Sequence, residues 1–91
     1  MKVLLFEDDL IWSTRLTNTL RSLGHSSQVL RSTPESTDAQ VAIVNLASAR
    51  SKPAELVAEL KALGLFVIGH AGHKEQEHLQ LGSDAGCDLV A

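Results

Sequence analysis

Three short apolar runs, Val3-Leu4-Leu5-Phe6, Val41-Ala42-Ile43-Val44 and Leu65-Phe66-Val67-Ile68, contain no polar residue and are separated by segments long enough for helices. A strand with one face in water alternates polar and apolar side chains, whereas a strand buried on both faces does not. These runs therefore belong to the interior of a sheet covered on two sides. Two weaker runs, Ser27-Gln28-Val29-Leu30 and Asp88-Leu89-Val90, add candidate strands. Strands alternating with helices imply right-handed crossovers and a parallel sheet, in the order β-α-β-(α)-β-α-β-α-β.

The helices carry their own punctuation. Asp9 is placed to cap a helix with Trp12, Leu16, Leu20 and Leu23 on one face, and Gly24 follows as a stop. Pro53 suits a first helical turn, Leu56, Val57, Leu60 and Leu63 share a face, and Gly64 lies just past the end. Residues 31–40, with Pro34 among serines and threonines, have room for a loop or a short second helix. Between His73 and Leu81 the chain is polar, so a helix there is short and largely solvated.

Composition narrows the function classes. Ninety-one residues allow one domain, and with only three aromatic residues (Trp12, Phe6 and Phe66) the core must be Leu, Val, Ile and Ala. The net charge of −3 argues against a nucleic-acid surface, which needs a basic stripe. One cysteine, Cys87, excludes an internal disulfide framework and a four-cysteine zinc site. No apolar run approaches the roughly 20 residues of a membrane span. The expectation is a small soluble domain of the cytoplasm.

Ligands of open parallel sheets gather beyond the carboxyl ends of the strands. Those ends carry Glu7-Asp8-Asp9, Asn45 and His70. Three acids after a buried strand need a divalent cation, a basic side chain or solvent to compensate them. In the bland alternative, Asp9 caps the helix while Glu7 and Asp8 are merely solvated.

Residues 2–9, Lys-Val-Leu-Leu-Phe-Glu-Asp-Asp, resemble the opening of the receiver domains of two-component response regulators. Val41-Ala42-Ile43-Val44-Asn45-Leu46 resembles that family's third strand, Val67-Ile68-Gly69-His70-Ala71 its fourth, and Ala85-Gly86-Cys87-Asp88 the approach to its fifth. The resemblance spans nearly the whole chain. It implies a flavodoxin-like, doubly wound five-stranded sheet of order 2-1-3-4-5, with a short second helix and with the fifth helix absent because the chain stops at Ala91. A sheet face around the strands ending in Ile68 and Val90 is then left uncovered unless the rest of a longer chain or another chain covers it, and a homodimer, for which the terminal edge strand is available, is expected.

The resemblance also assigns roles. Glu7 and Asp8 fall on acids that help to bind Mg²⁺, Asn45 on the aspartate that accepts a phosphoryl group, and His70 on the switching Thr or Ser. An amide is a far poorer nucleophile than a carboxylate. The implied protein is a degenerate receiver: a phosphorylation-independent, non-enzymatic interaction module acting on a protein partner or output domain. Its Mg²⁺ site is weakened, and nucleic acid and membrane play no part.

Several readings of single residues stay open. Asn45 is either an inert replacement or a donor to Asp8 that fixes one state. His70 either pairs with Glu7 or Asp8 or points to solvent. The alternatives are a metal- or pH-sensing variant built on Glu7, Asp8 and His70, or phosphorylation at another residue such as Ser48. A site made of His70, His73 and His78 is disfavoured, because residues five apart on a helix diverge by about 140°. Cys87 and Trp12 are expected to pack in the core, and His25 to lie on a surface turn.

Overall fold

Each apolar run forms a strand. A computed structural model describes residues 1–46, 53–70 and 86–90 of the chain. Its elements are β1 (Lys2–Phe6), α1 (Leu10–Ser22), β2 (Ser26–Val29), β3 (Val41–Asn45), α2 (Pro53–Ala62), β4 (Phe66–His70) and β5 (Leu89–Val90). All strand pairs are parallel and the order is β2-β1-β3-β4-β5. The expected sheet is thus present, with the long apolar runs at its centre. Ser48, His73, His78 and the polar helix anticipated after His73 lie outside the described residues.

Register decides which side chains share a face. Leu4 pairs with Ala42 and Ala42 with Val67, so these three point the same way, with Phe6 and Val44 two residues further on. Leu56, Val57 and Leu60 of α2 close over them, with Leu46 and Leu65, to form the main core. Burying each such Leu or Val contributes about 1.5–3 kcal/mol relative to exposure. The helical spacing read for α2 is therefore its buried stripe.

Both helices end in the same way. Gly24 and Gly64 adopt positive φ (87° and 84°) just beyond α1 and α2. At α1, Gly24 N–H donates to Arg21 C=O and His25 N–H to Leu20 C=O; at α2, Gly64 donates to Lys61 and Leu65 to Leu60. These paired bonds satisfy the last carbonyls of each helix, and only glycine adopts the turning conformation without strain.

The opposite face is less complete. Right-handed crossovers put α1 on that side, where Val3 and Leu5 are buried. Further across, Val41, Ile43 and Ile68 are only half-buried, and Phe66 and Leu89 are 47% and 51% exposed. Among the described residues this strip, on β3, β4 and β5, has no cover. The stripe anticipated on α1 is not buried either. Trp12 is 40% exposed and Leu23 more so, Leu16 and Leu20 are half-buried, and Ser13 is the one buried residue of the helix. The reason lies in α1's neighbour, β2, a four-residue edge strand whose own side chains are mostly exposed. Trp12 instead lies under the guanidinium of Arg15, 5.6 Å from the ring centroid.

Two other expectations are corrected. Residues 30–40 contain no helix. Both ends of the segment are tied to β1, through Leu30 N–H to Leu5 C=O and Gln40 N–H to Lys2 C=O, and Pro34 disfavours helical geometry at the residue before it. Cys87 is half-buried at the margin of the core rather than inside it.

Asp88 fastens the far edge of the sheet. Its carboxylate accepts from Lys61 Nζ at 2.9 and 2.7 Å and from Val67 N–H at 2.8 Å, while its own N–H donates to Val67 C=O. One side chain thus joins the end of α2, β4 and the entry to β5. Among the described residues no helix is long and apolar enough to cross a membrane.

Candidate functional site

The carboxyl ends of three adjacent strands bring Glu7, Asn45 and His70 together. Phe6 pairs with Val44 and Asn45 with His70, so Glu7, one residue past β1, comes level with that row. Odd-numbered parity along β1 and β3 sends Glu7 and Asn45 to the same side as Leu5 and Ile43, and register adds His70. Sequence reasoning collected these residues at the strand ends. Register is the signal that orders them as neighbours.

Glu7 is the hub. Its side chain is only 1% exposed, a costly place for a carboxylate without partners. Oε1 accepts from Asn45 Nδ2 at 2.7 Å and from Asp9 N–H at 3.1 Å. Oε2 lies 2.8 Å from His70 Nε2, whose side chain is 19% exposed. Apart from this contact, Oε2 and Nε2 are both buried with no other hydrogen-bond partner among the described residues. The contact is a hydrogen bond only when a proton sits between them, so each atom's satisfaction depends on the other.

The two neighbouring acids do different work. Asp9 is the helix cap: Oδ1 accepts from Ile11 N–H at 2.8 Å and Trp12 N–H at 3.2 Å, with the residue itself in extended geometry (φ −80°, ψ 118°). Asp8 is exposed. Of the open readings, the structure joins His70 to Glu7 and places the Asn45 amide on Glu7 as well. Sequence reasoning missed that Glu7, rather than Asp8, is the buried acid.

The described residues of the row do not fit a divalent cation. A hard cation takes several oxygen ligands at once, yet Glu7 Oε1 already accepts from two N–H groups and Oε2 lies against His70 Nε2. No group of three or more metal-ligating side chains occurs among the described residues. Among the described residues the row also lacks a strong nucleophile, since Asn45 is an amide; Cys87 packs against the core on the opposite face, where burial pushes its thiol above the ordinary pKa and the Asp88 charge adds to the effect.

Solved structures supply the comparison. The receiver domain of the sensor histidine kinase PA1611 from Pseudomonas aeruginosa PAO1, which holds a magnesium ion in its active-site cleft, superposes with a TM-score of 0.83 at 17% identity. The match covers 99% of this chain and 82% of that one. Full-length FixJ from B. japonicum gives 0.80 at 14% identity, covering 99% of this chain and 48% of that chain. No family model matches the chain, and no curated relative matches it. The chain thus shares the fold of these receiver domains.

Proposed function

We propose that the chain is a receiver-fold signalling module that works without phosphorylation, as a non-enzymatic interaction unit for a protein partner or output domain in the cytoplasm. One observation carries the reading: the pocket is filled by its own side chains. Asn45 occupies the position that the family resemblance gives to the phosphoacceptor, and it donates to Glu7 at 2.7 Å. His70 occupies the switching position and closes on the other Glu7 oxygen. A preformed network of this kind holds one state, and it presents an amide where a carboxylate nucleophile would stand.

Incubation with acetyl phosphate and Mg²⁺, followed by intact mass spectrometry, tests the reading. An unmodified mass is expected. A stable phosphoryl adduct on this chain, at Ser48 or elsewhere, would overturn it. The metal- or pH-sensing alternative on Glu7, Asp8 and His70 predicts instead that Trp12 fluorescence follows Mg²⁺, Zn²⁺ or pH.

The proposal includes a homodimer. Phe66 and Leu89 stand exposed beside half-buried Ile68 on one sheet face, and apolar surface of this kind favours association. Light scattering coupled to size exclusion is expected to give twice the 9.8 kDa chain mass. A monomer at all concentrations would remove this part of the proposal and leave the phosphorylation-independent part standing.

A further inference from the structure

On the sheet face that carries the main core, α2 packs over β3 and β4, and residues 30–40 arch as a loop over β1 and β2. Between loop and strands lies a cavity of about 530 Å³. The strands supply Lys2, Leu4, Gln28 and, one residue past β2, Leu30; the loop supplies Pro34, Ser36 and Asp38. Lys2 pairs with Ser26 and Leu4 with Gln28, so Lys2, Leu4, Gln28 and Leu30 alternate onto one face and line the same space. The arch is preformed. Besides its two backbone bonds to β1, Thr33 Oγ1 donates to Glu59 Oε1 at 2.8 Å and Lys2 Nζ to Asp38 Oδ1 at 3.0 Å. A loop held in this way on a rigid sheet is a frequent setting for binding.

The lining selects a class of ligand. Its one cation and one anion cancel, which disfavours ligands of net charge. None of the chain's three aromatic residues lines it, so a nucleobase finds no stacking platform. The side chains of Lys2 and Asp38 are 37% and 81% exposed, so a ligand reaches both, and the bond from Lys2 keeps the Asp38 carboxyl below its ordinary pKa and ionised. Beyond that bond, Lys2 Nζ has further N–H groups to donate, and Asp38 Oδ2 accepts nothing among the described residues. A ligand with an ammonium and a carboxylate side by side completes a ring of alternating charges without breaking the pair. Leu4 stands about 7 Å along β1 from Lys2, the reach of a leucine-sized side chain, and Leu30 and Pro34 extend that apolar surface.

We propose that this cavity binds a free aliphatic α-amino acid, with its carboxylate on Lys2 Nζ, its ammonium on Asp38 Oδ2 and its side chain over Leu4 toward Leu30. The site lies on the other face of the sheet from the Glu7–Asn45–His70 row and does not depend on the function proposed for it. Titration of the labelled chain with leucine at constant ionic strength and pH, read by amide chemical shifts, tests it. Saturable shifts centred on Lys2, Leu4, Gln28, Leu30, Ser36 and Asp38 are expected. Glycine, which lacks the side chain, N-acetyl-leucine, which lacks the ammonium, and leucinamide, which lacks the carboxylate, should each bind at least about tenfold more weakly. Asp38→Asn and Lys2→Gln should weaken leucine binding by a similar factor, and amide spectra of the free variants check that each keeps the fold. Glu35→Gln, exposed on the same loop but outside the lining, is expected to leave binding unchanged. No saturation with leucine, a blocked derivative that binds as tightly as leucine, or an equal loss in Glu35→Gln would each overturn the proposal.

Discussion

Replacing His70 by alanine isolates the contact on which the candidate site rests. The substitution removes the partner of Glu7 Oε2, a buried atom with no other among the described residues. Hydrogen bonds to charged groups contribute about 1.5–3 kcal/mol, and a buried acceptor left unpaired costs about 1–3 kcal/mol. These describe one event from two sides and do not add. His70 keeps 19% of its side chain exposed, so water partly replaces it, and the expected loss is about 2–3 kcal/mol. For a domain of this size each kcal/mol moves the midpoint by about 4–8 °C, giving a fall of about 8–24 °C. Thermal unfolding at pH 7, followed by circular dichroism and supported by urea titration, measures it. The control is the same substitution in a Glu7→Gln background, where no carboxylate awaits the proton. The loss there should be smaller by at least about 1 kcal/mol, the coupling expected of directly contacting groups. A loss that is the same in both backgrounds would refute the account of Glu7 and His70 as mutually dependent.

Three further outcomes follow from the same geometry. Asn45→Asp replaces a donor 2.7 Å from Glu7 Oε1 with a second carboxylate. It should cost about 1–3 kcal/mol at neutral pH; urea melts of the two proteins check this. Lys61, and then the Val67 N–H, hold the Asp88 carboxyl below its ordinary 3.8. A depressed carboxyl contributes stability that is complete above that value and lost as pH falls below it. Asp88→Asn should therefore flatten the acid limb of a stability–pH curve, and an unchanged limb would refute the assignment. An alanine Cβ at Gly69 would stand 2.9 Å from both Cys87 Sγ and Leu46 Cδ1, so Gly69→Ala is expected to cost about 1–3 kcal/mol by overpacking. Cys87→Ala on top of it should recover part of that in a thermal melt.

The strands and helix ends were legible because their signals are local. Uninterrupted apolar runs marked β1, β3 and β4, and a capping Asp9 with Gly24 and a Pro53 with Gly64 bracketed the two helices. Each depends on residues within a few positions of one another. The stripe on α1 misled because spacing shows only that a face is apolar, while its burial depends on what stands opposite. At α2 that is the centre of the sheet, and at α1 it is a short edge strand. Residues 31–40 could be read as loop or helix from their composition. The hydrogen bonds of Leu30 and Gln40 to β1 made them a loop.

At the candidate site the division is sharper. The sequence by itself determined which chemical groups stand at the strand ends: three acids, an amide where the receiver resemblance expects an acid, and a histidine. It could not determine which acid becomes buried, or which donors reach it. Those depend on register between strands 38 and 25 residues apart in the chain (Phe6 with Val44, Asn45 with His70). A slip of one residue would turn each side chain to the other face. Only the assembled sheet set Glu7 between Asn45 and His70, and only there does the cost of a dry carboxylate make their hydrogen bonds decisive.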